Sequence, residues 1–304
     1  MAYAYFNNQI VDENEALVSI RTHAFNYGTA IFEGIKAYYI EANKAWYIFR
    51  LDDHYRRFAN SASLLGLELK VTFDGFLDIF NQLIKRNNFK SDVYIRPMLY
   101  TDRLGIGMAK PTGCSFAIYI EPFPPPQLKE LRSMIVDTIR TPSEAIPSSG
   151  KIAGAYVNNY LAQKEAARNG YDTAILKTME GLISEAFGMA VFMVKGNTLS
   201  TPRLEDDILE SVTRKTIMHL AKIYLKMSIS ESPIPPEILL DADEVFVCGT
   251  GSAVNAVVSI GNKIIGDGKG GAITKRLSEL YLQAVRNGLV ESSQWCYKVP
   301  SIDQ

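Results

Sequence analysis

Cysteine and histidine are both scarce. The three cysteines, Cys114, Cys248 and Cys296, are odd in number and far apart. They form no disulfide framework and no CxxC metal motif. The three histidines, His23, His54 and His219, are equally scattered and make no HExxH pattern, so no metal centre is expected. A surplus of one charge is also lacking: 32 basic residues stand against 33 acidic ones. That leaves no basic excess for nucleic acid or an anionic membrane. No apolar run approaches the roughly 20 residues of a membrane span. Residues 1–13 show no cationic stretch followed by an apolar one, so no signal peptide is expected. These absences lead to a cytoplasmic, metal-free protein. With 304 residues, 47% apolar and 21% charged, the chain has room for two domains of ordinary globular composition.

Periodicity supplies the elements. Ala2 to Phe6 and Gln9 to Val11 read as strands around the turn Asn7-Asn8. Trp46 to Arg50 reads as a strand paired in a hairpin with the strand ending near Ile40. Leu51, Tyr55, Phe58, Ala62 and Leu65 recur at helical spacing, with Asp52 and Asp53 at the positive N-terminal end. A second helix is expected over 73–86 and bulky strands over 92–101 and 115–121. Pro124-Pro125-Pro126 can join neither a helix nor a central strand, and residues 123–127 read as an interdomain linker. The expected division is 1–122 and 128–304. Past the linker, strands and helices alternate: a strand over 134–139, a helix over 156–169, strands over 173–177 and 190–194, a helix from Thr213, a strand over 245–248 and a helix over 274–285.

The chemistry is placed in Ser148-Ser149-Gly150-Lys151-Ile152-Ala153-Gly154-Ala155-Tyr156. A lysine becomes a nucleophile when it is partly desolvated or set near other positive charge. Lysines beside glycines are mostly solvated loop residues, so other stretches must converge on Lys151. Arg96 lies inside an otherwise apolar strand, and a buried arginine needs a partner or an anionic ligand. Glu185 lies between apolar neighbours, either exposed at a strand end or held for a cation. Thr213 opens a helix, whose first amides can seat a phosphate. Gly249-Thr250-Gly251 lacks the third glycine of a dinucleotide fingerprint and is followed by strand, so it reads as a tight turn able to bind a carboxylate. Adjacent Arg56 and Arg57 read on their own as a solvated helix face.

Taken together, these stretches resemble the fold-type IV pyridoxal-phosphate aminotransferases, most closely the branched-chain amino-acid aminotransferases. The telling segments are His23-Ala24-Phe25-Asn26-Tyr27-Gly28, Phe32-Glu33-Gly34-Ile35-Lys36, Tyr94-Ile95-Arg96-Pro97, Gly150-Lys151 to Tyr156, Gly181 to Glu185, Val212-Thr213-Arg214 and Gly249-Thr250-Gly251. The similarity runs from about Asn7 to Lys275. It implies a two-domain α/β enzyme, like the D-amino-acid aminotransferases in fold, with pyridoxal 5'-phosphate between the domains. It also implies a homodimer or larger homo-oligomer, and transfer of an amino group from leucine, isoleucine or valine to 2-oxoglutarate.

By the same resemblance Lys151 matches the Schiff-base lysine that moves the substrate proton, and Glu185 the partner of the pyridine nitrogen. Tyr156 matches the residue bonded to the phenolic oxygen, and Arg57, Val212, Thr213 and Thr250 match the phosphate seat. Tyr94 and the turn Thr250-Gly251-Ser252 match the binders of the substrate α-carboxylate. Arg96 and Tyr27 match the pair that accepts glutamate's side-chain carboxylate, and Phe32, Gly34, Lys36 and Met108 line the side-chain pocket. Three departures bear on specificity. Lys36 stands where arginine is more usual, Ala190 stands where many relatives have asparagine, and the interdomain loop is short and proline-rich. The alternatives on this scaffold are a D-amino-acid or amine aminotransferase, an aminodeoxychorismate lyase, or an inactive binding protein.

Overall fold

The computed structural model describes residues 2–107 and 113–301. Met108, expected in the side-chain pocket, lies outside the described residues. The chain forms two compact units. The first gathers residues 1–125, 150–154 and 284–304, and the second gathers 126–149 and 155–283. The sequence reading instead runs the second domain continuously over 128–304.

In the first unit the chain begins with strands β1 (Tyr3–Phe6) and β2 (Gln9–Asp12) and the short helix α1 (His23–Tyr27). Strands β3 (Ala30–Phe32), β4 (Ile35–Ile40) and β5 (Ala45–Phe49) follow. Next come helices α2 (Leu51–Leu64) and α3 (Phe73–Asn87) and the nine-residue strands β6 (Val93–Thr101) and β7 (Cys114–Pro122). The expected hairpin is β4–β5, antiparallel with Tyr38 opposite Tyr47. Phe58 of α2 and Phe76 and Phe80 of α3 are fully buried and pack with Phe116 of β7 in an aromatic cluster.

The second unit carries β8 (Glu130–Ile139), α4 (Tyr156–Arg168), β9 (Thr173–Lys177), β10 (Ile183–Ala186), β11 (Ala190–Lys195) and β12 (Thr198–Thr201). It continues with α5 (Val212–Tyr224), β13 (Ser228–Glu231), α6 (Pro236–Leu240), β14 (Glu244–Gly249), β15 (Ala253–Ile260) and β16 (Lys263–Ile264). These nine strands form one sheet in the order β10-β9-β8-β15-β14-β11-β12-β13, with β16 on β15. One apolar cluster of this unit holds Ile175, Val191, Val245, Val247 and Val257. A second packs Ala162 and Ala166 of α4 against Val136, Ala174 and Leu176. Small residues on α4 let it lie close to the sheet.

Helix α7 (Ala272–Val285) leads to the short α8 (Ser292–Trp295) and to β17 (Cys296–Pro300). β17 pairs antiparallel with β5, Val299 opposite Trp46, and closes the first unit's sheet as β17-β5-β4-β6-β7-β1-β2, with β3 on β6. An open β5 edge would leave a row of unpaired amides and carbonyls. That edge is why the last residues group with the first unit. Among the described residues, no helix is long and apolar enough to cross a membrane, and no cluster of metal-ligating side chains occurs.

Candidate functional site

In the first unit the lysine loop is tied down by backbone. Phe32 N–H donates to the Lys151 carbonyl at 3.1 Å, and Ile31 bridges to Ile152. Lys151 N–H donates to Ser61 Oγ at 2.9 Å, and that hydroxyl donates to the Arg57 carbonyl at 2.8 Å. Gly28, at φ 69, caps α1 and meets Gly154 of the same loop. A Cβ on Gly28 would stand 3.1 Å from the Gly154 Cα, so the close approach and the left-handed backbone both require glycine.

A wall of alternating cations and rings leads from this loop. Lys151 Nζ lies 5.0 Å from the Phe32 ring centre, and the Arg96 guanidinium lies 4.6 Å from the same ring. Arg96 Nη2 donates to the Tyr94 hydroxyl at 3.2 Å. The Tyr94 ring packs 5.3 Å from Phe123, and Lys36 Nζ lies 4.5 Å from Phe123 and 5.1 Å from Tyr38. Gly34 makes room for this wall: a Cβ there would fall 1.8 Å from the Tyr94 hydroxyl. Such contacts between a cation and an aromatic face are attractive, more so when desolvated.

Lys36 is 1% exposed, and its amine has no hydrogen-bond partner among the described residues. Burial pulls its pKa down to about 8; Asp92 opposes the shift and Arg286 adds to it. Asp92 is itself bound by both Nη atoms of Arg286, at 3.0 and 2.7 Å. Tyr27 lies apart from these contacts in what it bonds: it is 38% exposed, and its hydroxyl accepts from Gly107 N–H at 3.2 Å.

Arg57 is not on a solvated helix face. The buried face of α2 carries His54, Arg57 and Ser61. Arg57 grips Glu33 through Nε at 2.6 Å and Nη2 at 2.8 Å, and Glu33 is 0% exposed. His54 Nδ1 lies 2.8 Å from Glu33 Oε2. Burial alone would raise the Glu33 carboxyl, but the Arg57 charge and the bonds from Arg57 and His54 outweigh it and hold it far below the usual carboxylate range. Burial lowers the His54 pKa, against the pull of Glu33. His54 is therefore a neutral ring that donates Nδ1–H.

The second unit gathers its own set of polar groups. Glu185, the third residue of β10, is buried rather than exposed at a strand end. Its Oε1 lies 3.1 Å from Arg140 Nη2, and its Oε2 accepts from Leu209 N–H at 3.1 Å. Arg140 is held in turn by the Asp207 carbonyl and Asn159. Tyr156 opens α4. Ser211 caps α5 by accepting from Arg214 N–H, and Val212 and Thr213, at its first turn, are both buried. Thr250, Gly251 and Ser252 form the turn between β14 and β15, and the Ser252 hydroxyl is buried without a partner among the described residues. The next residue, Ala253, sits at φ 54, a strained value for a residue with a Cβ. Ala190 begins β11 opposite Cys248.

Glu33 lies within a telling segment but receives no role there, and His54, Ser61 and Arg140 fall outside every motif. Their signal is weak but physical: His54, Arg57 and Ser61 form a polar stripe on the face of α2 that Leu51 and Phe58 mark as buried.

Comparison with known proteins gives a consistent picture. The family model described as amino-transferase class IV matches residues 30–260. The probable branched-chain-amino-acid aminotransferase of Aquifex aeolicus is 38% identical over 301 residues, covering 97% of this chain and 96% of that protein. The branched-chain-amino-acid aminotransferase of Escherichia coli K12 is 32% identical over 286 residues, covering 92% and 91%. Among solved structures, the branched-chain aminotransferase of Thermoproteus uzoniensis with norvaline superposes with a TM-score of 0.92 at 32% identity, covering 98% of this chain and 99% of that one. The branched-chain amino acid aminotransferase of Thermobaculum terrenum in its PLP-bound holo form gives a TM-score of 0.93 at 32% identity, covering 98% of each chain.

Proposed function

The chain belongs to the fold-type IV, pyridoxal-phosphate-dependent class IV aminotransferases, in the branched-chain-amino-acid aminotransferase family, and we propose that it transfers an amino group between leucine, isoleucine or valine and 2-oxoglutarate with pyridoxal 5'-phosphate as its cofactor. The observation that carries this reading is the wall of Phe32, Arg96 and Tyr94 beside Lys151. One pocket must take an aliphatic side chain in one half-reaction and a carboxylate in the other. Ring faces suit the first, and a guanidinium held among them suits the second.

The donor set fits the cofactor. Its aldehyde calls for an amine, supplied by Lys151, and its ring nitrogen for a buried carboxylate, supplied by Glu185. Its phosphate calls for an arginine and a helix N-terminus, supplied by Arg57 and by Val212 and Thr213 of α5. Thr250 adds a hydroxyl for the phosphate, Tyr156 a phenol for the ring oxygen, and the Ser252 hydroxyl, without a partner among the described residues, a donor for the substrate α-carboxylate, to which Gly251 and Tyr94 are also assigned. When bound, the cofactor supplies the electron sink that makes the substrate Cα proton removable. Lys151 Nζ is the base that takes this proton and the acid that returns it. Arg140 pairs with Glu185 and fixes its carboxylate in place, so that Glu185 can face the ring nitrogen and hold a proton there.

Leu17, Val18, Ile20, Phe25, Leu104 and Ile106 are exposed apolar residues, and the segment of Leu104 pairs with Thr22. An apolar surface of this kind supports a homo-oligomer. The activity is tested with Lys151→Ala. The variant should stay folded, lose the cofactor's lysine-linked absorption band and lose transamination. A variant with the unchanged band or retained turnover overturns the assignment of Lys151.

A further inference from the structure

The contacts of Glu33 exceed what a buried salt bridge needs. The carboxylate accepts from Arg57 Nε at 2.6 Å, Arg57 Nη2 at 2.8 Å, His54 Nδ1 at 2.8 Å and Gly34 N–H at 3.2 Å. All three side chains are buried. A two-toothed grip fixes the plane of a guanidinium as well as its position. His54 then fixes the carboxylate, because its neutral ring adds a donor without adding charge. His54 and Arg57 stand three residues apart on the same face of α2, so both reach Glu33 from one rigid element.

The same helix face reaches the lysine. Ser61, one turn beyond Arg57, donates to the Arg57 carbonyl and accepts from Lys151 N–H. Glu33 in turn follows Phe32, whose N–H holds the Lys151 carbonyl. The loop of Lys151 is thus joined to the Arg57 backbone through Ser61 and to the Arg57 guanidinium through Phe32 and Glu33.

We propose that Glu33 and His54 are positioning residues that lock the Arg57 guanidinium at a fixed distance and orientation from Lys151, so that Arg57 meets the cofactor's phosphate ready-oriented. The proposal rests on the reading of Arg57 as a phosphate ligand. Its sign is distinctive. A purely electrostatic account makes Glu33 harmful to phosphate binding, because its charge offsets that of Arg57. An orienting account makes it helpful.

The test is the affinity of the cofactor-stripped full-length protein for pyridoxal 5'-phosphate and for pyridoxal, which lacks the phosphate, read by absorbance titration. Glu33→Gln keeps the shape and removes the charge. It should weaken pyridoxal 5'-phosphate by about tenfold to a hundredfold, the scale of a lost charge-assisted hydrogen bond, and leave pyridoxal nearly unchanged. His54→Leu should weaken the same ligand selectively, and His54→Asn, whose amide can donate from the same place, should restore it. Tighter binding in Glu33→Gln overturns the proposal, as does equal weakening of both ligands. If Glu33→Gln fails to fold, the two His54 variants decide: no selective loss in His54→Leu, or no rescue by His54→Asn, overturns it. Arg57→Ala is the separate control. If it loses no phosphate-dependent affinity, the reading of Arg57 fails; if it does while the Glu33 and His54 variants do not, only the positioning proposal fails.

Discussion

Lys36 should cost the protein stability near neutral pH. The amine is 1% exposed, has no hydrogen-bond partner among the described residues, and is pulled from the ordinary 10.5 to about 8, first by burial. At about 1.4 kcal/mol per pH unit, holding the charged form inside costs about 3 kcal/mol. Below pH 8 the amine is protonated in both folded and unfolded chains, and the full cost is present. Between about 8 and 10.5 the unfolded chain binds more protons than the folded one, so stability rises with pH. Lys36→Met removes this dependence. It also loses the contacts with Tyr38 and Phe123, about 1–2 kcal/mol for desolvated cation–ring pairs. The expected balance at pH 7 is a variant more stable by about 1–2 kcal/mol. Urea unfolding of both proteins at pH 7 and pH 10 checks it. The two stabilities should draw together as pH rises, because the deprotonated amine carries neither the buried-charge cost nor the cation–ring gain and the groups common to both chains cancel. Parallel curves would refute the reasoning, and so would a variant less stable at pH 7 with an unchanged offset at pH 10.

Arg96→Met should slow the half-reaction with glutamate far more than that with leucine, because a carboxylate left unpaired in this wall costs about 2–5 kcal/mol; single-turnover absorbance with each amino acid separates the two. Glu185→Gln should retain cofactor yet slow removal of the Cα proton by on the order of a hundredfold, the scale of a lost charge interaction at a reacting centre, seen as a larger deuterium effect with Cα-deuterated leucine. Gly34→Ala should displace the Tyr94 hydroxyl, since the added carbon would fall 1.8 Å from it, and weaken binding of 2-oxoglutarate through the lost Arg96 contact; unchanged binding would show that the wall can shift at little cost.

Helices and long strands were legible because their apolar spacing is local. α2 and α3 end within a residue of the expected bounds, and β6 starts one residue late. The strand expected over 134–139 is the second half of a longer one, β8, because Glu130 to Ser133 lack an apolar pattern. β12 and β13 are four residues each and pair in parallel across α5, so nothing local announces them. β17 is likewise recognised only by the edge it covers. The grouping of residues 150–154 with the first unit depends on contacts with Ile31, Phe32 and Ser61, about 90 to 120 residues away.

The site divides in the same way. The residues assigned chemical roles stand in local motifs. Their supporting partners are not marked as such, because a partner is a matter of distance in space. Glu33 and Arg57 are 24 positions apart, and Arg140 follows β8 while Glu185 lies within β10. On sequence alone Arg57 reads as solvated, and the structure buries it because Glu33 supplies the charge that a buried guanidinium needs. Lys36 differs in having aromatic neighbours and no bonded partner among the described residues.

The central claim is transamination of branched-chain L-amino acids, and a substrate panel in single-turnover mode addresses it directly. The purified protein loaded with pyridoxal 5'-phosphate is mixed separately with L-leucine, L-isoleucine, L-valine, L-glutamate, D-alanine and an aromatic amine, and conversion of the cofactor to its amine form is followed by absorbance. The account predicts rapid conversion by the three branched-chain amino acids and by glutamate, and regeneration by 2-oxoglutarate. Conversion by D-alanine or the aromatic amine, with none by leucine, would contradict it.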